Sequence, residues 1–248
     1  MKEDKSQITK KYIKFIRSLR LKKNRYIHKR FIVENEKNIS CLLNSNYEIE
    51  KLIVNKKKIT SLITTKISLV YANSKEMKQI SLFKNPSEIL AVVKMKKSVN
   101  YINQKKMLIL DNINDPGNLG NLIRTSNWFN LDLIVLSKKC VDIHNEKVIQ
   151  SSMGSIFNID FLYCDLNDFL KKIVDTPIIA TTLKGETLKP KHKFKDFALI
   201  MGSESHGICQ EVVNVSDYNF KLPIFNQNIN SINVASAASI FLHNISHS

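Results

Sequence analysis

From Ser6 to about Arg20, apolar Ile8, Tyr12, Phe15, Ile16 and Leu19 recur at three- and four-residue steps, with Lys10, Lys11, Lys14 and Arg17 on the remaining surface. That spacing predicts an amphipathic helix with a cationic outer face. The next stretch, Leu21 to Arg30, crowds further Lys and Arg around Asn24, Tyr26 and His28 without a helical stripe and reads as a basic loop. Two readings stand for it: a loop that grips phosphate and stacks on a base, or a solvated run of charge. Strands are expected at Phe31-Ile32-Val33-Glu34, Lys51-Leu52-Ile53-Val54 and Ile89-Leu90-Ala91-Val92-Val93, and helices over 36–45 and 74–82, which together make a small α/β domain. Residues 96–105 are polar, lack periodicity and read as a linker. Beyond them come short apolar runs at Met107 to Leu110, Leu133 to Leu136, Ile178 to Ala180, Ala198 to Met201 and Phe220 to Leu222, separated by helical segments. Such continuous runs suit strands buried on both faces of a parallel sheet. There are no internal repeats.

Length and charge sharpen the division. A chain of 248 residues, 43% of them hydrophobic, has material for two compact domains, expected at 1–100 and 106–248. Residues 1–105 hold 25 Lys and Arg against 8 Asp and Glu, whereas 106–248 hold 13 against 14. Drift in composition from an AT-rich genome would raise lysine in both halves, so the imbalance points instead to a polyanion-binding surface on the front domain. No apolar run approaches membrane-spanning length and the N-terminus lacks the apolar core of a signal peptide, so the expectation is a soluble, cytoplasmic protein with no membrane partner. The cysteines at 41, 140, 164 and 209 are scattered, with no spacing for zinc, and no metal site is expected.

Three stretches bear chemistry. In Asn114-Asp115-Pro116-Gly117-Asn118-Leu119-Gly120-Asn121-Leu122-Ile123-Arg124, a strand ends in a Pro-Gly turn and a helix starts near Asn118, which is expected to cap it, with Arg124 aimed at the mouth of the loop. A capped helix with a solvent-facing arginine is the competing reading. Ile200-Met201-Gly202-Ser203-Glu204-Ser205-His206-Gly207 has the glycine spacing of a phosphate-binding loop, but Ile208-Cys209 stands where Lys-Ser or Lys-Thr is needed, which argues against nucleoside triphosphate binding. What remains is a glycine turn bearing the carboxylate of Glu204, with Gly202 letting a flat ligand approach the backbone. The third, Leu222-Pro223-Ile224 leading to Ser231-Ile232-Asn233-Val234-Ala235, opens a helix of small residues with Ser231 as the expected cap. Close helix packing alone would also account for those small side chains.

In order and spacing the three stretches resemble the signature motifs of the SpoU/TrmH family of the SPOUT superfamily, RNA ribose 2′-O-methyltransferases that use S-adenosylmethionine. The resemblance covers roughly residues 106–246. More weakly, Phe31 to Lys37 resembles a motif of the small ribosomal-protein-like RNA-binding domain that precedes the catalytic domain in many members. The resemblance implies an α/β fold in which a C-terminal SPOUT domain, with a parallel sheet and a deep trefoil knot, follows that small α/β domain. It also implies a homodimer acting on RNA, ribosomal RNA above transfer RNA. By the same resemblance, Arg124, Asn118, Glu204, Ser231 and Asn233 match the catalytic and substrate-placing set, and Gly202, Leu222 and Ile232 the backbone that holds S-adenosyl-L-methionine.

The chemistry suits those residue types. A ribose 2′-OH is a weak nucleophile and a sulfonium methyl a strong electrophile, so alignment and departure of a proton are what an enzyme must supply, without a metal. A guanidinium stays protonated in proteins, so Arg124 is better read as a clamp on the target phosphate that stabilises the developing alkoxide than as a base. Two departures from the pattern stand out: Asn226 replaces a glycine in a third-motif loop one residue longer than usual, and Asn35 replaces a glycine of the front domain. A base-methylating knotted enzyme, a tRNA ribose methyltransferase and a catalytically inert RNA-binding or ribosome-assembly factor with the same fold are the rival readings.

Overall fold

In a computed structural model, which describes residues 6–57, 67–96, 104–226, 228–229 and 231–246, the chain forms two units. One is Met1–Lys97 with Asp142–Phe157, the other Ser98–Val141 with Asn158–Ser248. Most of the expected linker, residues 97–103, lies outside the described residues.

The front unit contains β1 (Ser6–Gln7), α1 (Lys10–Ser18), α2 (Lys22–His28), β2 (Arg30–Glu34), α3 (Glu36–Leu43), β3 (Ile49–Asn55), β4 (Leu69–Ala72), α4 (Ser74–Ile80) and β5 (Ile89–Lys94). Its five-stranded sheet runs β1-β4-β3-β5-β2, with β5 antiparallel to both neighbours and Ile53 opposite Leu90. Helix α1 starts at Lys10 because the Thr9 hydroxyl accepts the Tyr12 N–H, and it buries Ile13 and Ile16 in a cluster with Ile53, Ile80 and Val92.

Two expectations need correction here. The stretch expected as a basic loop is helix α2, closed by Lys29 in the left-handed conformation at φ 52°. Its one buried residue is Arg25, 4% exposed, so the inward position carries a charge and no apolar stripe shows in the sequence. Strands β1 and β4 were not foreseen either, being two and four residues long. Asn35, in the place of the expected glycine, takes φ 82° and caps α3 by accepting the Asn38 N–H at 2.8 Å. Its side chain thus offsets part of the strain that a residue with a Cβ carries there.

The rear part of the chain adds β6 (Lys106–Asp111), α5 (Pro116–Trp128), β7 (Leu133–Ser137), α6 (Glu146–Ser152), β8 (Asp160–Cys164), α7 (Leu166–Leu170), β9 (Ile178–Thr187), β10 (Phe197–Gly202), α8 (Gln210–Asn214), β11 (Tyr218–Lys221) and α9 (Val234–Ile245). Here the sheet is six-stranded and parallel throughout, in the order β11-β9-β10-β6-β7-β8. The apolar runs fall in β6, β7, β9, β10 and β11. Strands β6, β7 and β10 are buried nearly throughout as expected, with Ile109, Val135 and Ile200 in one cluster with Leu166 and Phe169, whereas β11 is an edge strand in which only Phe220 is buried. Strand β8 escaped the sequence reading because it is a half-exposed edge without a continuous apolar run. Strand order reverses between β6 and β10, where Gly202 pairs with Asp111. Ligands of open α/β sheets bind at such a switch point, outside the carboxyl ends of the strands.

Segment 142–157, expected within the rear domain, packs instead with the front unit. Buried Asp142 accepts from Arg25 Nε at 2.9 Å and Nη2 at 2.5 Å. The His144 ring lies 4.4 Å from that of Phe31, and Phe157 meets Tyr47 edge-on at 5.5 Å. Gly154, at φ 91°, sits so close to Cys41 that a Cβ would come within 2.5 Å of the sulfur.

Candidate active site

Helix α5 begins at Pro116, two residues before the expected start, and its cap is Asp115 rather than Asn118: the Asp115 carboxylate accepts the Asn118 N–H at 2.7 Å. Asp followed by Pro at the first helical position is a start signature that the sequence displayed. With its backbone so used, Asn118 has its side chain free to face the end of β10. Its Nδ2 donates to Glu204 Oε1 at 3.2 Å. The third motif shifts likewise: α9 is capped by Asn233, not Ser231, because Asn233 Oδ1 accepts from Ala235 N at 2.9 Å and Ser236 N at 3.4 Å. Asn233 Nδ2 then donates to Asn118 Oδ1 at 2.7 Å and Glu204 Oε1 at 3.1 Å, and Val234 N reaches the same carboxylate oxygen at 3.3 Å. Residues 118, 204 and 233, one from each motif, thus form a single hydrogen-bonded cluster.

The turn that presents Glu204 is held from both ends. Gly207 N donates to Ser203 O at 2.9 Å, and Cys209 N to Asp111 Oδ2 at 2.9 Å. Gly202 is demanded by this closure: a Cβ on it would fall 2.1 Å from the Gly207 carbonyl carbon and 2.4 Å from Ile208 N. Gly207 itself adopts φ 67°. Beyond β11, Asn226 Oδ1 accepts the Asn228 N–H at 3.0 Å, so the asparagine found where glycine was expected turns the chain with its side chain.

Two clefts flank the cluster. The larger, about 830 Å³, has Gly202, Leu222 and Ile232 on its wall together with Glu204 and Ser231. Sequence reasoning missed Thr181, Thr182 and Asn219 there, the last accepting from Thr182 Oγ1 at 2.8 Å, since nothing marks polar residues along a long strand as cleft-lining. The smaller, about 500 Å³, holds Arg124 and Asn233 beside Thr125, Trp128, Ser236 and Ser239. Arg124 is exposed, makes no ion pair among the described residues, and does not join the hydrogen-bonded cluster. Among the described residues no group of His, Cys, Asp and Glu has the makings of a metal site, and no helix is long and apolar enough to cross a membrane.

A parallel α/β sheet thus carries a ligand-sized cleft beside β9, the end of β10 and the segment after β11, with a carboxylate on its wall and the exposed Arg124 cation in the neighbouring cleft. The family model described as the SpoU rRNA Methylase family matches residues 105–243, and the chain belongs to that family. Residues 10–91 match a second model, the MRM3-like substrate binding domain. The chain is 33% identical over 141 residues to the 23S rRNA (guanosine(2553)-2′-O)-methyltransferase RlmP of Bacillus subtilis (strain 168), a match covering 56% of each protein. The aligned stretch therefore spans little more than half of that relative's length. Among solved structures, a putative RNA methyltransferase of the TrmH family from Porphyromonas gingivalis superposes with a TM-score of 0.86 at 27% identity, over 96% of this chain and 98% of that one. An AdoMet-bound rRNA methyltransferase from Sinorhizobium meliloti shares the fold at a TM-score of 0.84 and 24% identity, over 96% and 95%.

Proposed function

We propose that this chain is an RNA ribose 2′-O-methyltransferase that uses S-adenosylmethionine, acts on structured RNA of the ribosomal class in the cytoplasm, and works as a homodimer. The observation that carries the reading is the meeting of Asn118, Glu204 and Asn233 between the two clefts. The 830 Å³ cleft lies within the 300–1,000 Å³ usual for small-ligand sites, and the carboxylate of Glu204 on its wall complements a sulfonium charge. Gly202, Leu222 and Ile232 would hold the cofactor by backbone and apolar contact. When bound, it supplies an electrophilic methyl group.

In this reading Arg124 clamps the target phosphate and stabilises negative charge as it grows on the 2′-oxygen. Glu204 fixes the amide planes of Asn118 and Asn233, which with Ser231 orient the ribose so that no reorganisation is needed at the moment of transfer. A homodimer is supported by Trp128 and Ile240, 85% and 43% exposed, on α5 and α9, helices that pack on each other and bear an apolar surface for a second copy. The proposal extends to a trefoil knot made by the segment that follows β11, and to RNA binding by the front unit, with Lys10, Lys14 and Arg17 of α1 exposed to solvent.

Incubation with labelled S-adenosylmethionine and RNA lacking the modification, followed by mapping of ribose methylation, tests the proposal. Arg124→Ala is expected to slow transfer about 10²- to 10³-fold, with RNA affinity nearly kept. Transfer to tRNA alone would move the substrate class, and a wild type that transfers to no RNA would leave the inert RNA-binding reading in its place.

A further inference from the structure

The front unit holds a buried ion pair that the proposed chemistry does not use. Arg25 gives Nε and Nη2 to Asp142 Oδ2, and Nη1 to the carbonyls of Leu19 at 3.1 Å and Arg20 at 2.8 Å, so four of its five N–H donors are engaged inside the protein. The other Asp142 oxygen accepts the Tyr26 hydroxyl at 3.2 Å and the His144 backbone N–H at 3.2 Å. Burial, then the Asp142 charge and hydrogen bond, push the Tyr26 phenol up to about 12, so it remains a donor throughout the physiological range.

Tyr26 is thus pinned at its tip while the residue stays 46% exposed. Lys22 lies one turn away, its Nζ 5.8 Å from the ring centroid. Lys23 and Lys29 are exposed beside it, and Leu21 and Ile27, 64% and 61% exposed, add apolar surface. None of these three lysines makes an ion pair among the described residues. An aromatic ring held in one orientation among unneutralised cations matches the needs of an unpaired nucleotide: a π-face for the base and cations for the flanking phosphates. A paired duplex would engage the lysines but present no free base to the ring.

We propose that the outer face of α2 is a single-stranded RNA contact in which Tyr26, oriented by the Arg25–Asp142 pair, stacks on an unpaired base of the substrate. The inference rests on the RNA reading above and adds that the substrate must offer a loop or bulge to the front unit, apart from the ribose that is methylated. The orienting pair replaces disorder with a fixed platform, which lowers the entropy lost on binding.

The test uses the full chain and two RNA probes of equal length, a hairpin with an unpaired loop and a fully paired duplex, with fluorescence anisotropy read across a salt series. Wild type is expected to prefer the hairpin. Tyr26→Ala should lower hairpin affinity about tenfold while leaving the duplex and the salt slope unchanged. Tyr26→Phe, which keeps the ring and drops the anchoring hydroxyl, should fall between. Lys22→Gln with Lys23→Gln should weaken both probes and flatten the slope by about one unit per lost phosphate contact. An equal loss on both probes in Tyr26→Ala, no loss at all, or a changed sedimentation coefficient marking contact with a second copy would overturn the proposal. Methyl transfer by wild type, assayed in parallel, separates the two readings. Transfer with an indifferent Tyr26 sinks only the stacking, and a hairpin preference without transfer sinks only the enzyme.

Discussion

Asn233 serves two ends of one side chain. Its carbonyl oxygen caps α9, and its amide nitrogen joins Asn118 and Glu204. Asn118 carries no such structural burden, because Asp115 is the cap of α5. The two asparagines are therefore expected to part company under substitution. Asn233→Ala should cost about 1 kcal/mol of stability through the lost cap as well as activity, whereas Asn118→Ala should lower methyl transfer with the denaturation midpoint almost unmoved. Urea titration beside the transfer assay reads both, and a matched stability loss in the two variants would contradict the division of roles.

Among the elements, the turn between β10 and α8 is tightly constrained, since Gly202 has backbone and not side chain pressed against it. Gly202→Ala should force Gly207 and Ile208 to move, cost about 1–3 kcal/mol, and weaken S-adenosylmethionine uptake, as calorimetry would report. The sequence made the elements around this turn readable because buried parallel strands are written as unbroken apolar runs, and the rear sheet has them. It made α2, β4 and β8 hard to read for distinct reasons. In α2 the inward residue is Arg25, in β4 the strand is four residues long, and in β8 an edge leaves both faces half-exposed. The cluster residues were legible through the family resemblance of the three motifs, which singles out Asn118, Glu204 and Asn233 among other polar positions. The assignment of caps to Asn118 and Ser231 failed because each motif contains a second capping residue, Asp115 and Asn233: the Asp-Pro step marks the first in the sequence itself, whereas only three-dimensional geometry decides the second.

Over the whole molecule, the charge step near residue 105 located the basic unit but gave no hint that residues 142–157 return to it. An apolar or charged segment looks the same in sequence wherever it docks; its partners, such as Arg25 for Asp142, lie more than a hundred residues away. Burial alone would raise the Asp142 carboxyl, but the hydrogen bonds and charges of His144 and Arg25 outweigh it and hold the group well below the usual carboxylate range. A carboxyl lowered in the folded state contributes stability that is fully present above about pH 4 and drains away as pH falls toward the native value. Asp142→Asn, which leaves the Arg25 charge buried without its counterion, should lose about 3–5 kcal/mol at neutral pH. Its deficit against wild type should narrow in denaturation curves taken below pH 4, and a deficit independent of pH would refute the assignment. The same return of the chain has a consequence for biosynthesis. A ribosome delivers Met1–Lys97 long before Asp142–Phe157 emerges, so the amino-terminal unit waits, with Arg25 uncompensated and Cys41 uncovered, until strands of the next unit have already left the exit tunnel.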